Sequence, residues 1–299
     1  MVISRSGIFS KLALRIIWIA LLAFSSGVAA KTSRVLFLGD QAHHQPANLH
    51  KVLAPYFAAQ NIDFVYTEKI SDLAPANLAT YDALFLFNNL DTVGTKNSGY
   101  VKDYVDGGKG LMVVHCGIVF ANPLPILDTV FGGRFARHDT GIFQAKITMP
   151  EHPAMKGVKP FRAWDETYEH RMTTSDKTVL MIRDTLNAAP EPWTWVRNQG
   201  KGRFYYTASG HDARVWTQAE FQKQLLVGLM WVMRLDSTSV SMRENPWIFH
   251  RVRAEQNRVM LVPKGNGFRV INSADAEFDF LGRDAALLPA IERFVYPKE

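Results

Sequence analysis

"GLMVVHCG" (residues 110–117) is the stretch on which the reading of the fold turns. An apolar run with no polar alternation marks a strand buried on both faces, as in a parallel sheet covered by helices. Its abrupt end places His115 at a strand's carboxyl edge, where doubly wound α/β folds bind their ligands. Cys116, the only cysteine of the 299 residues, stands at the same edge. A sharp turn after a strand is how several α/β enzymes expose a nucleophile, but a free thiol in such a place is also an ordinary small buried hydrophobe. His115 therefore carries the stronger expectation of function, and Cys116 that of a buried neighbour.

Working outward, "SRVLFLGD" (33–40), "IDFVYTE" (62–68) and "YDALFLFNN" (81–89) read as strands of the same kind. Between them, Leu49, Leu53, Tyr56 and Phe57 recur at helical spacing behind Pro46, and "KNSGYVKDYVD" (96–106) reads as a helix halted by Gly107 and Gly108. Downstream, "GIFQAKITM" (141–149) and "TVLMIR" (178–183) suggest strands. "PWTWVRNQGKGRFYYTASGHD" (192–212) suggests two strands around a Gly-containing turn, and "QAEFQKQLLVGLMWVMRL" (218–235) a strongly apolar helix. The expected architecture is a doubly wound, mostly parallel α/β sheet flanked by helices over residues 31–236. A small C-terminal extension, 237–299, follows, with two or three strands around the turn "KGNG".

Residues 1–30 stand apart. Arg5, Lys11 and Arg15 precede the apolar "IIWIALLAF" (16–24), and "SSGVAA" puts Val28 and Ala30 at the −3 and −1 positions of a cut before Lys31. This is the pattern of a secretory signal peptide, so the chain is expected to be exported to the periplasm or beyond. An uncleaved anchor is the alternative. The formal charge of +6 includes those three basic residues; without them 31 basic residues face 28 acidic ones, a net of +3. There is no basic block of the kind that binds nucleic acid, and no later stretch long and apolar enough to span a membrane.

Four further segments hold candidate chemistry. "GGRFARHDTG" (132–141) carries His138 in what reads as a loop. "EHP" (151–153) reads as a turn. "AWDETYEHRM" (163–172) gathers Asp165, Glu166, Tyr168, Glu169 and His170, a set suited to proton transfer or metal ligation; by composition alone it reads as a solvated loop. "YYTASGHDARVW" (205–216) ends a strand at Gly210 and His211, a second histidine at a strand's carboxyl edge.

In this order the segments resemble the ThuA-like family, named for trehalose utilisation, whose fold is of the class I glutamine amidotransferase-like, flavodoxin-like kind. The matching pieces are "GGKGLMVVHCG", "FGGRFARHD", "EHPAMKGV", "WDETYEH", and "GKGRFYYTASGHDARVW" with the helix after it. The resemblance implies a role in sugar metabolism, including oxidised (3-keto) glycosides. It points to His115, His138, Asp165, Glu166, Tyr168 and His211 as the pocket; His115, His138, Glu166 and His211 are expected to be catalytic, and Asp165 and Tyr168, together with the nearby Trp216, substrate-binding. In amidotransferases of this fold the turn holds a catalytic cysteine. Counted back from Gly117 that place is His115 here, so glutamine hydrolysis is not expected. His/Glu acid–base chemistry is one expectation; a divalent metal held by His115, His138, Glu166 and His211 is another. A non-catalytic carbohydrate-binding or sensing protein, and a scaffold that lost its chemistry, stay open beside the enzyme. Exposed aromatics along a groove would favour the binder; Phe120, Trp164, Tyr168, Trp193, Trp195 and Trp216 are the candidates.

Overall fold

The structure, a computed structural model, describes residues 32–41, 44–90, 93–120, 125–185, 188–235 and 237, and the strands of the segment 250–280. The signal-peptide segment 1–30 lies outside the described residues. In chain order the elements are β1 (Ser33–Leu38), α1 (Pro46–Ala58), β2 (Ile62–Thr67), α2 (Pro75–Leu78), β3 (Ala83–Leu86), α3 (Gly94–Asp106) and β4 (Gly110–Val114). Then come α4 (Pro125–Phe131), β5 (Gly133–Ile147), β6 (Phe161–Met172), β7 (Thr178–Thr185), β8 (Ala188–Gln199), β9 (Gly202–Thr207), α5 (Ala213–Trp216) and α6 (Ala219–Val232). Four more strands, β10 (His250–Arg251), β11 (Arg258–Lys264), β12 (Gly267–Asn272) and β13 (Glu277–Phe280), form a separate antiparallel sheet.

The main sheet has nine strands in the order β2-β1-β3-β4-β9-β8-β7-β5-β6. From β2 to β9 every pairing is parallel. Strands β3 and β4 are buried along their whole length, which is why "ALFL" and "GLMVV" show no polar alternation. Helix α6 is buried from Phe221 to Val232, so its apolar character runs around the helix and not along one stripe.

From β9 onward the pairings are antiparallel. Here the structure corrects two sequence readings. The strand expected from residue 141 begins at Gly133, and the expected loop at 163–172 is part of strand β6. Strand β5 pairs with β7 only over Gln144–Ile147. Before Gln144 it pairs with β6 alone, as a two-stranded ribbon with a register shift between Phe135 and Arg137. The ribbon returns across the carboxyl ends of β4 and β9, where Asp165 accepts a hydrogen bond from Gly210 N–H at 2.7 Å. Two of its polar side chains, Asp165 and Glu166, are buried because partners await them there. Polarity, which normally signals a loop, is in this strand the means of docking it.

Candidate metal centre

His115 sits where β4 ends and a short 3-10 turn, His115–Val119, begins. Its φ of 47° is left-handed, a conformation that costs a Cβ-bearing residue about 1–2 kcal/mol. The tight exit requires Gly117, where a Cβ would lie 2.4 Å from the Leu86 carbonyl oxygen. The imidazole is fully buried, and Nδ1 lies 2.7 Å from the Ala208 carbonyl oxygen just past β9. A carbonyl only accepts, so Nδ1 carries the proton and donates it. Nε2 is then the outward nitrogen. It is buried with no hydrogen-bond partner among the described residues, 3.3 Å from Glu166 Oε2. A backbone carbonyl fixing one ring nitrogen while the other stays available is the outer-shell arrangement of metal-ligating histidines.

His211 follows Gly210, whose φ is 136°. Asp165 fixes this turn from below: its carboxylate accepts Gly210 N–H at 2.7 Å, Asp212 N–H at 2.9 Å and Glu166 N–H at 3.0 Å. Burial raises the Asp165 carboxyl to about 6, against the opposing pull of His115 and these three amides. Asp212 in turn caps α5 through Arg214 N–H. His211 Nδ1 thereby comes to 3.1 Å from Glu166 Oε1.

A third histidine arrives from the loop after β1. His44 precedes Gln45, whose left-handed φ of 52° turns the chain into α1. Its ring is buried and stands edge-on to His115 and His211, with centroids 5.3 and 5.0 Å away. His44, His115, Glu166 and His211 each offer a ligand atom, and these atoms lie within 4.8 Å of one another. Three imidazoles and one carboxylate are donors suited to zinc, iron or nickel. For Glu166, burial would raise the carboxyl, but a proton on His115 Nε2, through its hydrogen bond and charge, and charge on His211 and His138 hold it below its usual value; a cation at the same place acts in the same direction.

His44 is not among the residues expected from sequence. The signal is present: "DQAHHQP" (40–46) follows the carboxyl end of β1, the position that singled out His115 and His211. His138, expected as a ligand, lies on β5 opposite Tyr168 and reaches Glu166 Oε1 at 3.6 Å from a half-exposed rim position; it is outside the four-residue set. Tyr168 is buried with its ring 4.2 Å from that of His115.

Two expected substrate-binding residues take other positions. Asp165 is fully buried with both oxygens engaged by amides. Trp216 is fully buried, its indole N–H donating to the Gly210 carbonyl at 2.7 Å and its ring edge-on to Phe87. Both shape the His211 turn, and neither presents a surface to a ligand. Cys116 is also fully buried, and burial pushes its thiol well above the ordinary range, the opposite of an activated nucleophile.

The ThuA profile, described as trehalose utilisation, matches residues 34–232. The chain belongs to this family. Among solved structures it is similar to a ThuA-like protein from Bacteroides uniformis, at 17% identity and a TM-score of 0.59 over 70% of this chain and 94% of that one. One from Parabacteroides merdae is similar at 18% identity and 0.59 over 72% and 95%. A cytoplasmic protein from Salmonella typhimurium is similar at 12% identity and 0.51 over 66% and 98%. At these identities the likeness is one of fold. No curated protein matches the chain. Every ligand-bearing segment of the candidate centre falls within the ThuA match, and the family is associated with carbohydrate utilisation.

Proposed function

We propose that this ThuA protein is an exported enzyme of carbohydrate metabolism. It binds one divalent transition-metal ion through His44, His115, His211 and Glu166 and acts there on a sugar or 3-keto glycoside derivative. The observation that carries the metal is the convergence of ligand atoms of His44, His115, Glu166 and His211 within 4.8 Å, with the buried Nε2 of His115 3.3 Å from a Glu166 oxygen and without a geometrically satisfied hydrogen bond among the described residues. Two electron-rich atoms so placed suit a cation between them. A bound ion of this class supplies Lewis acidity, which polarises a carbonyl or makes water a nucleophile at neutral pH.

The chain's own groups supply the rest. The Ala208 carbonyl fixes the His115 tautomer, and Asp165 locks the turn that aims His211. His138 stands at the rim, 42% exposed, where it meets a substrate first. Imidazole can both take and give a proton near neutral pH, so His138 is assigned to proton transfer at the atom next to the sugar carbonyl. The export reading rests on the basic, apolar, small-residue order of residues 1–30. No helix among the described residues is long and apolar enough to cross a membrane.

Elemental analysis of the purified protein, before and after supplementation with zinc, manganese, iron and nickel salts, tests the centre. About one ion per chain is expected, lost in His115→Ala and Glu166→Ala. No retained metal after supplementation overturns it. A turnover screen of 3-keto and unmodified glycosides tests the chemistry: His138→Ala is expected to lower kcat while keeping the ion, and unchanged kcat removes His138 from the mechanism.

A further inference from the structure

Of the six aromatic residues near the site that could stack on a sugar, five are buried: Phe120, Tyr168, Trp193, Trp195 and Trp216. Trp164 alone is exposed, at 43%. It is two residues before Glu166 on β6, and the ladder with β5 runs without a register shift there. Side chains two apart on a strand share a face, about 6.8 Å from one another. Trp164 therefore stands one step along the ribbon from the carboxylate at the centre of the candidate metal site. Across the ladder, Ile142 pairs with Trp164 and Thr140 with Glu166, and Ile142 is 56% exposed.

A second element joins the two places independently. The loop that brings His211 to Glu166 at 3.1 Å continues into Arg214, whose guanidinium lies 5.0 Å from the centre of the Trp164 ring. Arg214 is itself held by both carboxylate oxygens of Asp212, whose backbone N–H is in turn bonded to Asp165. The indole is thus backed by a fixed cation anchored to the same clamp that fixes the site. Trp164 and Ile142, paired across the ladder, form an exposed apolar pair beside the polar centre.

We infer that Trp164, with Ile142 across the ladder and Arg214 beside the indole, forms a second subsite, which stacks the ring, sugar or aryl, adjoining the sugar held at the metal centre. The inference rests on the carbohydrate reading above. It narrows that reading to substrates with at least two linked rings, a disaccharide or an aryl glycoside. An aromatic face against the apolar face of a pyranose selects for the second ring, and the adjacent guanidinium can donate to its hydroxyl groups.

The test uses the full chain with its metal content measured on every sample. Binding of methyl glucoside, trehalose, cellobiose and p-nitrophenyl glucoside is followed by calorimetry and by saturation-transfer NMR on the sugar ring protons. Two-ring ligands are expected to bind at least about tenfold more tightly than methyl glucoside. Trp164→Ala is expected to abolish that ratio with metal content unchanged, and Trp164→Phe to keep part of it. Equal affinity for one- and two-ring ligands, a ratio unchanged in Trp164→Ala, or no binding of any of the four overturns the subsite. A chain that retains no metal but keeps the Trp164-dependent ratio overturns the metal reading and leaves the subsite standing.

Discussion

Two carboxylate–histidine clusters lie close together in this molecule, built from the same residue types to opposite ends. In one, Glu191 Oε1 accepts both the backbone N–H of His170 at 3.0 Å and its ring Nδ1–H at 2.9 Å, while His170 Nε2 accepts the Tyr206 hydroxyl at 3.1 Å. Every donor meets an acceptor, and the imidazole is fully enclosed. In the other, Glu166 faces His115, His211 and His138 at 3.3, 3.1 and 3.6 Å. The His115 nitrogen turned toward it has no geometrically satisfied hydrogen bond among the described residues. A closed network spends its polarity on holding the ribbon to the sheet; one with an acceptor left over is prepared for something that is not protein.

The sharpest way to break that contrast is a pair of truncations. Glu191→Ala leaves two buried donors of His170 without an acceptor, at about 1–3 kcal/mol each. A loss of about 3 kcal/mol in urea denaturation is expected, with metal content near that of the parent chain. Glu166→Ala is expected to do the reverse: at least a hundredfold loss in metal affinity, and stability of the metal-free protein within about 1 kcal/mol of the parent. If the two variants behave alike, the clusters do not differ in kind.

A smaller effect separates backbone from side chain at His115. Both His115→Ala and His115→Gly remove the imidazole, but only glycine is at ease at a φ of 47°. The glycine variant is expected to be the more stable by about 1 kcal/mol in the same denaturation experiment. Equal stability would mean that the elbow relaxes when its side chain is lost.

The smallest effect is a pH dependence. Burial lowers the pKa of His170, against the raising effect of Glu191. The native state then binds the His170 proton more weakly than the unfolded chain does. The stability this contributes is complete above the unfolded histidine value, about 6.5, and is lost as pH falls through the lowered folded value. His50 titrates in the same direction and serves as background. His170→Gln can still donate to Glu191 and accept from Tyr206, and is expected to reduce the fall in Tm between pH 7.5 and 5 by about 2–4 °C, the equivalent of about 1 kcal/mol. An identical fall in both proteins would remove His170 from the account.

The parallel half was legible because burial on both faces writes itself as unbroken apolar runs. β3 and β4 are instances, and the elbow followed from Gly117 and the end of the run. β6 was not legible, because its burial is polar: Asp165 and Glu166 are buried with partners supplied by loops some forty to fifty residues away, and a composition window cannot see them. His44 was missed for a related reason, since the loop after β1 has no periodicity to draw the eye. The tryptophans show the limit from the other side. Trp216 and Trp164 carry the same side chain close to the same site, yet one underlies the His211 turn and the other stands open at the ribbon. Only tertiary placement separates them.

The four candidate ligands come from four stretches spread between residues 44 and 211. A bound ion would tie these stretches together, closing three successive long loops in a chain whose single cysteine permits no internal disulfide. Loop-closure entropy grows only slowly with loop length, so one ion would restrain most of the domain at once. The centre would then act as the molecule's cross-link, formed only after the last ligand, His211, has joined the fold.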